Sequence, residues 1–174
     1  GSISGFVTPT GGAQETATFK VTGSQTEVGE SNNTYTLTWD GTAIESDYEL
    51  DETIGKLKVT ASTKELKVVS KDGSWTYDGD AHTKYEYTVT YGTESYTVTI
   101  AEGETTGTAT LSTGDKVTIT PAASATITHV ADSDVTNAFS YTVEHSAQYA
   151  NQTKTEGKLT VTPATLTIVT ESDE

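Results

Sequence analysis

The sequence contains no cysteine, no methionine and no arginine. Without cysteine the chain can form no disulfide, no thiolate metal site and no cysteine nucleophile. Its 10 positive side chains are all lysine and are opposed by 25 acidic ones, so the formal net charge is −15. Because nucleic-acid binding needs a clustered basic surface, we expect no nucleic-acid partner. No apolar run approaches the roughly 18–20 residues that a membrane helix requires, so we also expect no membrane segment.

Threonine and tyrosine dominate what the sequence does contain. Threonine makes up about a fifth of the chain and is stiff and β-branched, which favours strands over helices. Apolar and polar residues alternate in several short runs, namely 35–39, 57–59, 85–91, 96–100, 117–119, 127–129 and 159–161. This period of two is typical of strands with one buried face. We predict an all-β chain with antiparallel or mixed sheets, and one short helical turn within 131–138.

The clearest alternation lies in residues 84–91. Here Tyr85, Tyr87, Val89 and Tyr91 share one face of the predicted strand, while Lys84, Glu86, Thr88 and Thr90 share the other. Burial of each large side chain stabilises a protein by roughly 1.5–3 kcal/mol. We therefore predict that the tyrosine and valine face points into the core.

The chain also contains an internal repeat. Four pairs of segments are similar: GKLKVT at 55–60 and GKLTVT at 157–162, KELKVV at 64–69 and ATLTIV at 164–169, NTYTLT at 33–38 and NAFSYT at 137–142, and FKVT at 19–22 and DKVT at 115–118. A lone tyrosine, Tyr48 or Tyr149, lies a few residues before the glycine of each GKL segment. The spacing between copies indicates a unit of about 100 residues, a common domain size.

The order of the repeated segments predicts two tandem β-domains and a tail. Residues 1–62 are interpreted as the rear portion of a first β-repeat, or as a shorter β-domain complete in itself. Residues 64–162 form a complete β-repeat, and residues 163–174 are the opening strand of a following repeat. The first portion then lacks the opening strand that the tail carries. Addition of the tail strand would give the first portion its opening strand and would give the tail a ladder partner. We therefore predict head-to-tail self-association through residues 165–169, or in a weaker version pairing of the tail with its own chain's sheet.

Several motifs resemble one family of bacterial surface repeats. These are YDGDAH at 77–82, VTGSQTEVGESNNTYTLTW at 21–39, ADSDVTNAFSYTVEH at 131–145 and GKLTVTPATLTI at 157–168. In this order they resemble the MBG-type (mostly β-grasp) tandem repeats of adhesin-like surface proteins from Gram-positive gut bacteria. The resemblance spans nearly the whole chain and implies β-grasp-like modules, although the strand pattern alone also allows Ig-like sandwich modules. It implies an extracellular, cell-surface location and neighbouring repeats as partners. The first copy departs from the pattern, because no YDG segment precedes it.

Exposed aromatic residues favour one candidate ligand site. Trp75 and Tyr77 lie two residues apart next to a predicted turn, where aromatic rings could stack on a sugar. The competing interpretation is that Tyr77 packs on the sheet while Asp78-Gly79 forms the turn. Trp39 continues the face of Tyr35 and is expected in the core. Trp75 and Tyr77 are therefore the predicted ligand-binding residues, with a host glycan, mucin or surface protein as partner.

No catalytic constellation is present in the sequence. It has no HExxH or GxSxG motif, and its three histidines are isolated, so we predict no enzymatic activity, no cofactor and no metal. Two acidic pairs, Asp78 with Asp80 and Asp132 with Asp134, suit a solvated turn as well as they suit calcium. An internal crosslink from Lys67 or Lys71 to Asn137, Asn151 or Gln152 also stays open. The sequence thus predicts a non-catalytic structural or adhesion module in a tandem-repeat stalk, with a carbohydrate- or mucin-binding module near Trp75 as the alternative.

Overall fold

A computed structural model describes residues 1–171 of the protein. The chain divides into two compact units, Gly1–Ala61 and Ser62–Glu174, which we call the N-terminal unit and the C-terminal unit. Every regular element of the described chain is a β-strand or a one-turn 3-10 helix, which confirms the all-β prediction. No helix within residues 1–171 has the length and apolar character that a membrane crossing requires.

The N-terminal unit contains four strands. In chain order they are β1 (Thr16–Val21), β2 (Gly29–Asn32), β3 (Tyr35–Asp40) and β4 (Lys56–Val59). Strand β1 pairs with β3 and strand β2 pairs with β4, both antiparallel. A 3-10 turn at Glu45–Asp47 follows β3, and residues 48–54 after it belong to no strand.

Between residues 62 and 171 the C-terminal unit contains ten strands in three sheets. They are β5 (Ser62–Ser70), β6 (Gly73–Thr76), β7 (Glu86–Tyr91), β8 (Glu94–Thr99), β9 (Gly107–Thr110), β10 (Lys116–Pro121), β11 (Val135–Asn137), β12 (Phe139–Val143), β13 (Tyr149–Thr155) and β14 (Gly157–Thr162). The sheet orders are β13-β5-β7-β8, β12-β10-β9 and β11-β14-β6. Strands β13 and β5 are parallel, as are β14 and β6, and the other pairs are antiparallel. Two of these sheets are therefore mixed and the β12-β10-β9 sheet is antiparallel, in agreement with the prediction of antiparallel or mixed sheets.

The main core of the C-terminal unit lies between its first two sheets. Leu66 and Val68 of β5 belong to one buried cluster with Ile119 of β10 and Phe139 of β12. The rings of Tyr87 and Phe139 meet edge to face, with centroids 5.2 Å apart. Edge-to-face packing suits the charge distribution of aromatic rings and adds to the burial term. A second, smaller core of Ile127, Leu159 and Val161 lies on the β11-β14-β6 sheet.

The predicted faces of β7 agree with the structure. Tyr87, Val89 and Tyr91 are buried, while Lys84, Glu86, Thr88 and Thr90 are all only half-buried. Tyr85 precedes the first residue of β7 and is half-buried, packing against the edge of the core. The inward prediction is thus confirmed for the part of the run that forms the strand.

Of two local expectations, the short helical turn is confirmed only in part and the match of FKVT with DKVT is wrong. The segment 131–138 contains only the end of a 3-10 turn at Val130–Asp132, and β11 begins at Val135. The match of FKVT with DKVT is out of register by four residues, because Phe19 lies opposite Leu37 of β3, whereas Ile119 lies opposite Tyr141 of β12. The ladders therefore make Phe19 the counterpart of Ile119.

The described part of the tail, residues 163–171, forms no strand within this chain. Residues 163–171 belong to no ladder, so pairing of the tail with its own sheet does not occur, and residues 172–174 lie outside the described residues. Leu166, Ile168 and Val169 are 85%, 80% and 84% exposed. Pairing with a neighbouring molecule stays a prediction.

Candidate functional site

The indole ring of Trp75 is enclosed on two sides. His82 stacks on it with a centroid separation of 4.8 Å and an interplanar angle of 8°. A Cβ atom added to Gly73 would lie 2.3 Å from Cη2 of Trp75, so the six-membered part of the ring lies directly against the Gly73 backbone. Trp75 also packs on the small core of Ile127, Leu159 and Val161. The ring therefore presents little free face to a sugar.

His82 is held in position by backbone pairing. Its N–H donates to the carbonyl of Ile127 at 2.8 Å, and the N–H of Ile127 donates back at 3.0 Å, forming an isolated antiparallel bridge. The imidazole Nε2 lies 3.0 Å from Oδ1 of Asp78. These contacts fasten the 77–82 loop onto the small core, so Trp75 and His82 act together as packing for this loop.

Tyr77 is the more accessible of the two predicted ligand residues. It follows the last residue of β6, is 41% exposed, and lies beside His129 with ring centroids 5.9 Å apart. Its N–H donates to the carbonyl of Thr162 at 2.8 Å, which continues the β6–β14 pairing. Tyr77, His129 and Asp78 thus bring an exposed ring, an imidazole and a carboxylate to the same loop region.

The carboxylate of Asp78 organises the YDGD turn. Its Oδ1 accepts the backbone N–H of Asp80 at 3.0 Å, and Gly79 supplies the positive φ of 92° that this turn needs. The hydrogen bond from the Asp80 backbone, with the one to His82, lowers the pKa of Asp78. Among the described residues no three His, Asp or Glu side chains converge as metal ligands. The side chain of Asp134 instead contacts Lys158 Nζ and Thr160 Oγ1, both at 3.0 Å.

The crosslink candidates make ordinary hydrogen bonds. Asn137 is fully buried and its Nδ2 donates to the carbonyls of Lys71 and Lys84, both at 2.8 Å. Asn151 donates to the carbonyl of Thr63 at 2.7 Å, and Gln152 to that of Tyr149 at 3.1 Å. The side chain of Asn137 therefore bonds to the backbone of Lys71 and not to its amine. These hydrogen bonds join the β5–β6 turn to the segment before β7.

A cleft of about 550 Å³ opens in the N-terminal unit. Its floor includes Phe19, Tyr35, Leu37 and Trp39, which alternate along β1 and β3 and are only half-buried. One wall is the unpaired segment 48–55, and residues 1–6 complete the lining. The cleft of the N-terminal unit thus combines an apolar sheet face with a segment, residues 48–55, whose backbone belongs to no ladder.

A tyrosine–carboxylate hydrogen bond occurs in both units. In the N-terminal unit Tyr48 Oη donates to Glu15 at 2.5 Å, and in the C-terminal unit Tyr149 Oη donates to Asp115 at 2.6 Å. Each tyrosine follows a 3-10 turn, and each acid directly precedes a strand, β1 or β10. The Tyr149 hydrogen bond, with that of His145, lowers the pKa of Asp115. Burial and the hydrogen bond to Asp115 raise the pKa of Tyr149 to about 12.

The acids of these pairs were not identified from the sequence. The two tyrosines stood out in the repeat, but Glu15 and Asp115 differ in type, Glu15 lies outside every matched segment, and the match of FKVT with DKVT aligned Asp115 with Phe19. Their shared position, one residue ahead of a Thr- or Lys-initiated strand, becomes visible only when the ladders align the units.

Comparisons of the chain with protein-family models, with curated proteins and with solved structures gave no match.

Proposed function

We propose that the chain is a non-catalytic structural or adhesion module, a segment of a tandem-repeat stalk on the outside of a bacterial cell. One observation carries the proposal: the two units build the same pair of antiparallel ladders. Strand β1 pairs with β3 as β10 pairs with β12, and β2 pairs with β4 as β11 pairs with β14. Repeated ladders of this kind are expected where a chain is assembled from consecutive copies of one module.

The register of the two ladders supports the repeat interpretation. Asn137 lies opposite Gly157 in the β11–β14 ladder, and Asn33 donates its N–H to the carbonyl of Gly55 at 2.8 Å. The chain makes the same tight turn after each of these positions. Thr34 N–H donates to the Asn32 carbonyl at 3.0 Å, and Ala138 N–H to the Thr136 carbonyl at 2.8 Å. Agreement at the level of single hydrogen bonds is difficult to explain by β-composition alone.

The connection and the charge suit a stalk. Strand β4 ends at Val59 and β5 begins at Ser62, so only two residues connect the units and the joint has little slack. The acidic, arginine-free composition keeps an extended surface well solvated. The finer fold assignment, either β-grasp-like modules of the MBG type or Ig-like sandwich modules, is part of the same proposal.

Surface labelling tests the proposed location. Antibodies raised against the chain should label intact, unpermeabilised cells of the source bacterium. Labelling that appears only after permeabilisation would contradict an extracellular stalk. Antibodies against a cytoplasmic protein of the same cells serve as the control for membrane integrity.

Carbohydrate or mucin binding is the second candidate, favoured by the exposure of Tyr77 beside His129 and Asp78. A glycan array probed with the chain and with a Tyr77→Ala variant distinguishes the two functions. Binding that Tyr77→Ala abolishes, and that the exposed control Ile44→Ala in the N-terminal unit retains, favours the carbohydrate module. A Trp75→Ala variant then separates a direct contact from support of the 77–82 loop. Background signal for every variant favours the stalk without a glycan site.

A further inference from the structure

We propose that the cleft of the N-terminal unit is an acceptor for residues 164–170 of a second copy of the chain, which enter as a β-strand parallel to residues 49–53. The proposal deepens the repeat interpretation by naming a partner and a register. It rests on the equivalence of the two units used there, and it is independent of a location at the cell surface.

The C-terminal unit shows what covers such a cleft. There β5 lies parallel to β13, and its Leu66 and Val68 are fully buried in the cluster that contains Ile119, Phe139 and Tyr149. In the N-terminal unit, the ladders make Phe19 and Tyr35 the counterparts of Ile119 and Phe139. Tyr48, like Tyr149, follows the 3-10 turn. All three counterparts line the cleft.

The tail has the sequence of the covering strand. Residues 165–169 read TLTIV where residues 65–69 of β5 read ELKVV, so Leu166 stands for Leu66 and Ile168 for Val68. In β5 these positions are fully buried, whereas in the tail both are at least 80% exposed. An apolar strand with no ladder partner and an apolar sheet face with no covering strand thus occur in the same molecule. Strand addition joins such surfaces through a backbone ladder and alternate side-chain pockets.

The β5–β13 ladder predicts the register of the contact. In it Glu65 lies opposite Asn151, Leu66 opposite Gln152 and Val68 opposite Lys154. Aligning Gly55 with Gly157 makes residues 49–53 the counterparts of residues 151–155. The expected pairs are Thr165 with Glu49, Leu166 with Leu50, Thr167 with Asp51, Ile168 with Glu52 and Val169 with Thr53. This alternation directs Leu166 and Ile168 into the cleft.

The polar end of the strand also has a counterpart. In the C-terminal unit Ser70 Oγ accepts the N–H of Gly157 at 2.9 Å and donates to the Asn137 carbonyl at 2.7 Å. Thr170 stands where Ser70 stands and has a hydroxyl that can make both bonds, to Gly55 and Asn33. Asn33 lines the cleft, and its side-chain Oδ1, like that of Asn137, is buried without a hydrogen-bond partner among the described residues.

Residues 1–6 line the cleft on the side where the incoming strand would bind. Phe6 packs edge to face on Tyr48 and Trp39, with centroids 5.6 and 6.3 Å apart. Within the described chain residues 1–5 belong to no ladder. The incoming strand therefore competes with an N-terminal segment that offers no backbone pairing to residues 49–53.

Charge makes the contact dependent on salt. The acceptor segment contains Glu49, Asp51 and Glu52, and Glu171 follows the donor strand, whereas β5 contributes Lys64 and Lys67 at the equivalent place. Screening reduces repulsion between exposed like charges, so added salt should strengthen the association. The contact is head-to-tail, and such contacts produce open chains of molecules unless the rotation closes.

Sedimentation over a concentration series tests the association. The full chain should form dimers and longer species with rising concentration, more so at high salt. Leu166→Asp and Ile168→Asp should keep it monomeric, while the matched control Thr167→Asp, on the opposite face of the strand, should associate like the parent. These substitutions leave the folded units intact, because residues 163–171 form no strand within the chain. A parent chain that is monomeric at every concentration and salt overturns the proposal, and so does association that Leu166→Asp leaves unchanged.

A peptide in trans tests the place of contact. In a Trp75→Phe background the only indole is that of Trp39, which lines the cleft. A peptide of residues 163–171 should shift the Trp39 emission to shorter wavelength, and the same peptide with Leu166→Asp should not. Mixed-label NMR should then show contacts between residues 165–169 of one molecule and 49–53 of another. An unchanged Trp39 signal, or contacts elsewhere, overturns the assignment of the cleft, whereas surface labelling of cells would be unaffected.

Discussion

The N-terminal and C-terminal units each contain the same two kinds of strand pair, but the side chains on these strands are buried to different extents. In the C-terminal unit Ile119 and Phe139 are buried under β5, β7 and β8. Their counterparts in the N-terminal unit, Phe19 and Tyr35, are half-buried, and the only buried apolar residues there are Ala17 and Ala43. The same alternating pattern therefore produces a full core in one unit and an open cleft in the other.

The difference lies in the covering strands rather than in the shared ones. Residues 149–155 form strand β13 because β5 supplies a parallel partner, whereas the corresponding residues 48–53 have no ladder partner and form no strand. A strand has no ladder hydrogen bonds of its own and depends on its neighbour for them. The comparison teaches that the unit without a covering strand has neither a second layer of core nor a strand in the segment that follows its 3-10 turn.

Each unit contains one tryptophan, so urea unfolding can be followed in each unit with a single-indole background, Trp75→Phe to observe Trp39 and Trp39→Phe to observe Trp75. The largest expected effect is that of Leu66→Ala, which removes a fully buried side chain from the C-terminal core. It should lower the free energy of unfolding reported by Trp75 by about 2–5 kcal/mol. Leu37→Ala, at a half-buried position in the cleft, should lower that reported by Trp39 by much less. Equal losses would contradict the interpretation of the cleft as an uncovered face.

A smaller effect is expected at the repeated asparagine. Asn137→Ala leaves the carbonyls of Lys71 and Lys84 without their side-chain donor and should cost about 1–3 kcal/mol in the Trp75 transition. Asn33→Ala, whose side chain has no such covering segment to join, should cost less in the Trp39 transition. The comparison fails if Asn33→Ala is the more damaging substitution.

Acid should destabilise the C-terminal unit through its paired carboxylates. Hydrogen bonds hold the pKa of five of them below the ordinary range: Asp78, Glu94, Asp115, Asp134 and Glu156. A lowered folded-state pKa stabilises the fold above the unfolded-state pKa, near 4, and this contribution is lost as the pH falls through the folded-state value. The Trp75 transition should therefore weaken below about pH 4.

Tyr149→Phe provides the control for this pH dependence. It removes the hydrogen bond that most lowers the pKa of Asp115, so the variant should be less stable at neutral pH and should lose less on acidification. A Tyr149→Phe variant whose stability falls as steeply with acid as that of the parent would exclude Asp115 as a contributor.

The smallest expected effect has the opposite sign. Tyr87 is fully buried, burial raises the pKa of its hydroxyl to about 12, and no described residue hydrogen-bonds with it. Tyr87→Phe removes an unpaired polar atom and keeps the ring contact with Phe139, so stability should rise by up to about 1 kcal/mol. A clear loss of stability would show that the hydroxyl has a partner, such as a bound water.

The candidate ligand site was only partly foreseeable. Trp75 was recognised as an aromatic next to a turn, but its stacking on His82 depends on the bridge between His82 and Ile127, 45 residues apart in the chain. The exposure of Tyr77 depends likewise on His129 and on the carbonyl of Thr162. Spacing along one strand predicts which side chains share a face, but it does not predict what covers that face.

The sequence by itself determined the strand faces, the Asp78-Gly79 turn and the spacing of the two GKL segments. Tyr87, Val89 and Tyr91 face inward because side chains on a strand alternate with a period of two, which is a local property. Only the tertiary structure decided that β13 is a strand, that Tyr149 meets Asp115, and that Phe19 is the counterpart of Ile119. These features depend on pairing between segments far apart in the chain, and each segment has several sterically acceptable partners until the whole sheet closes around one of them.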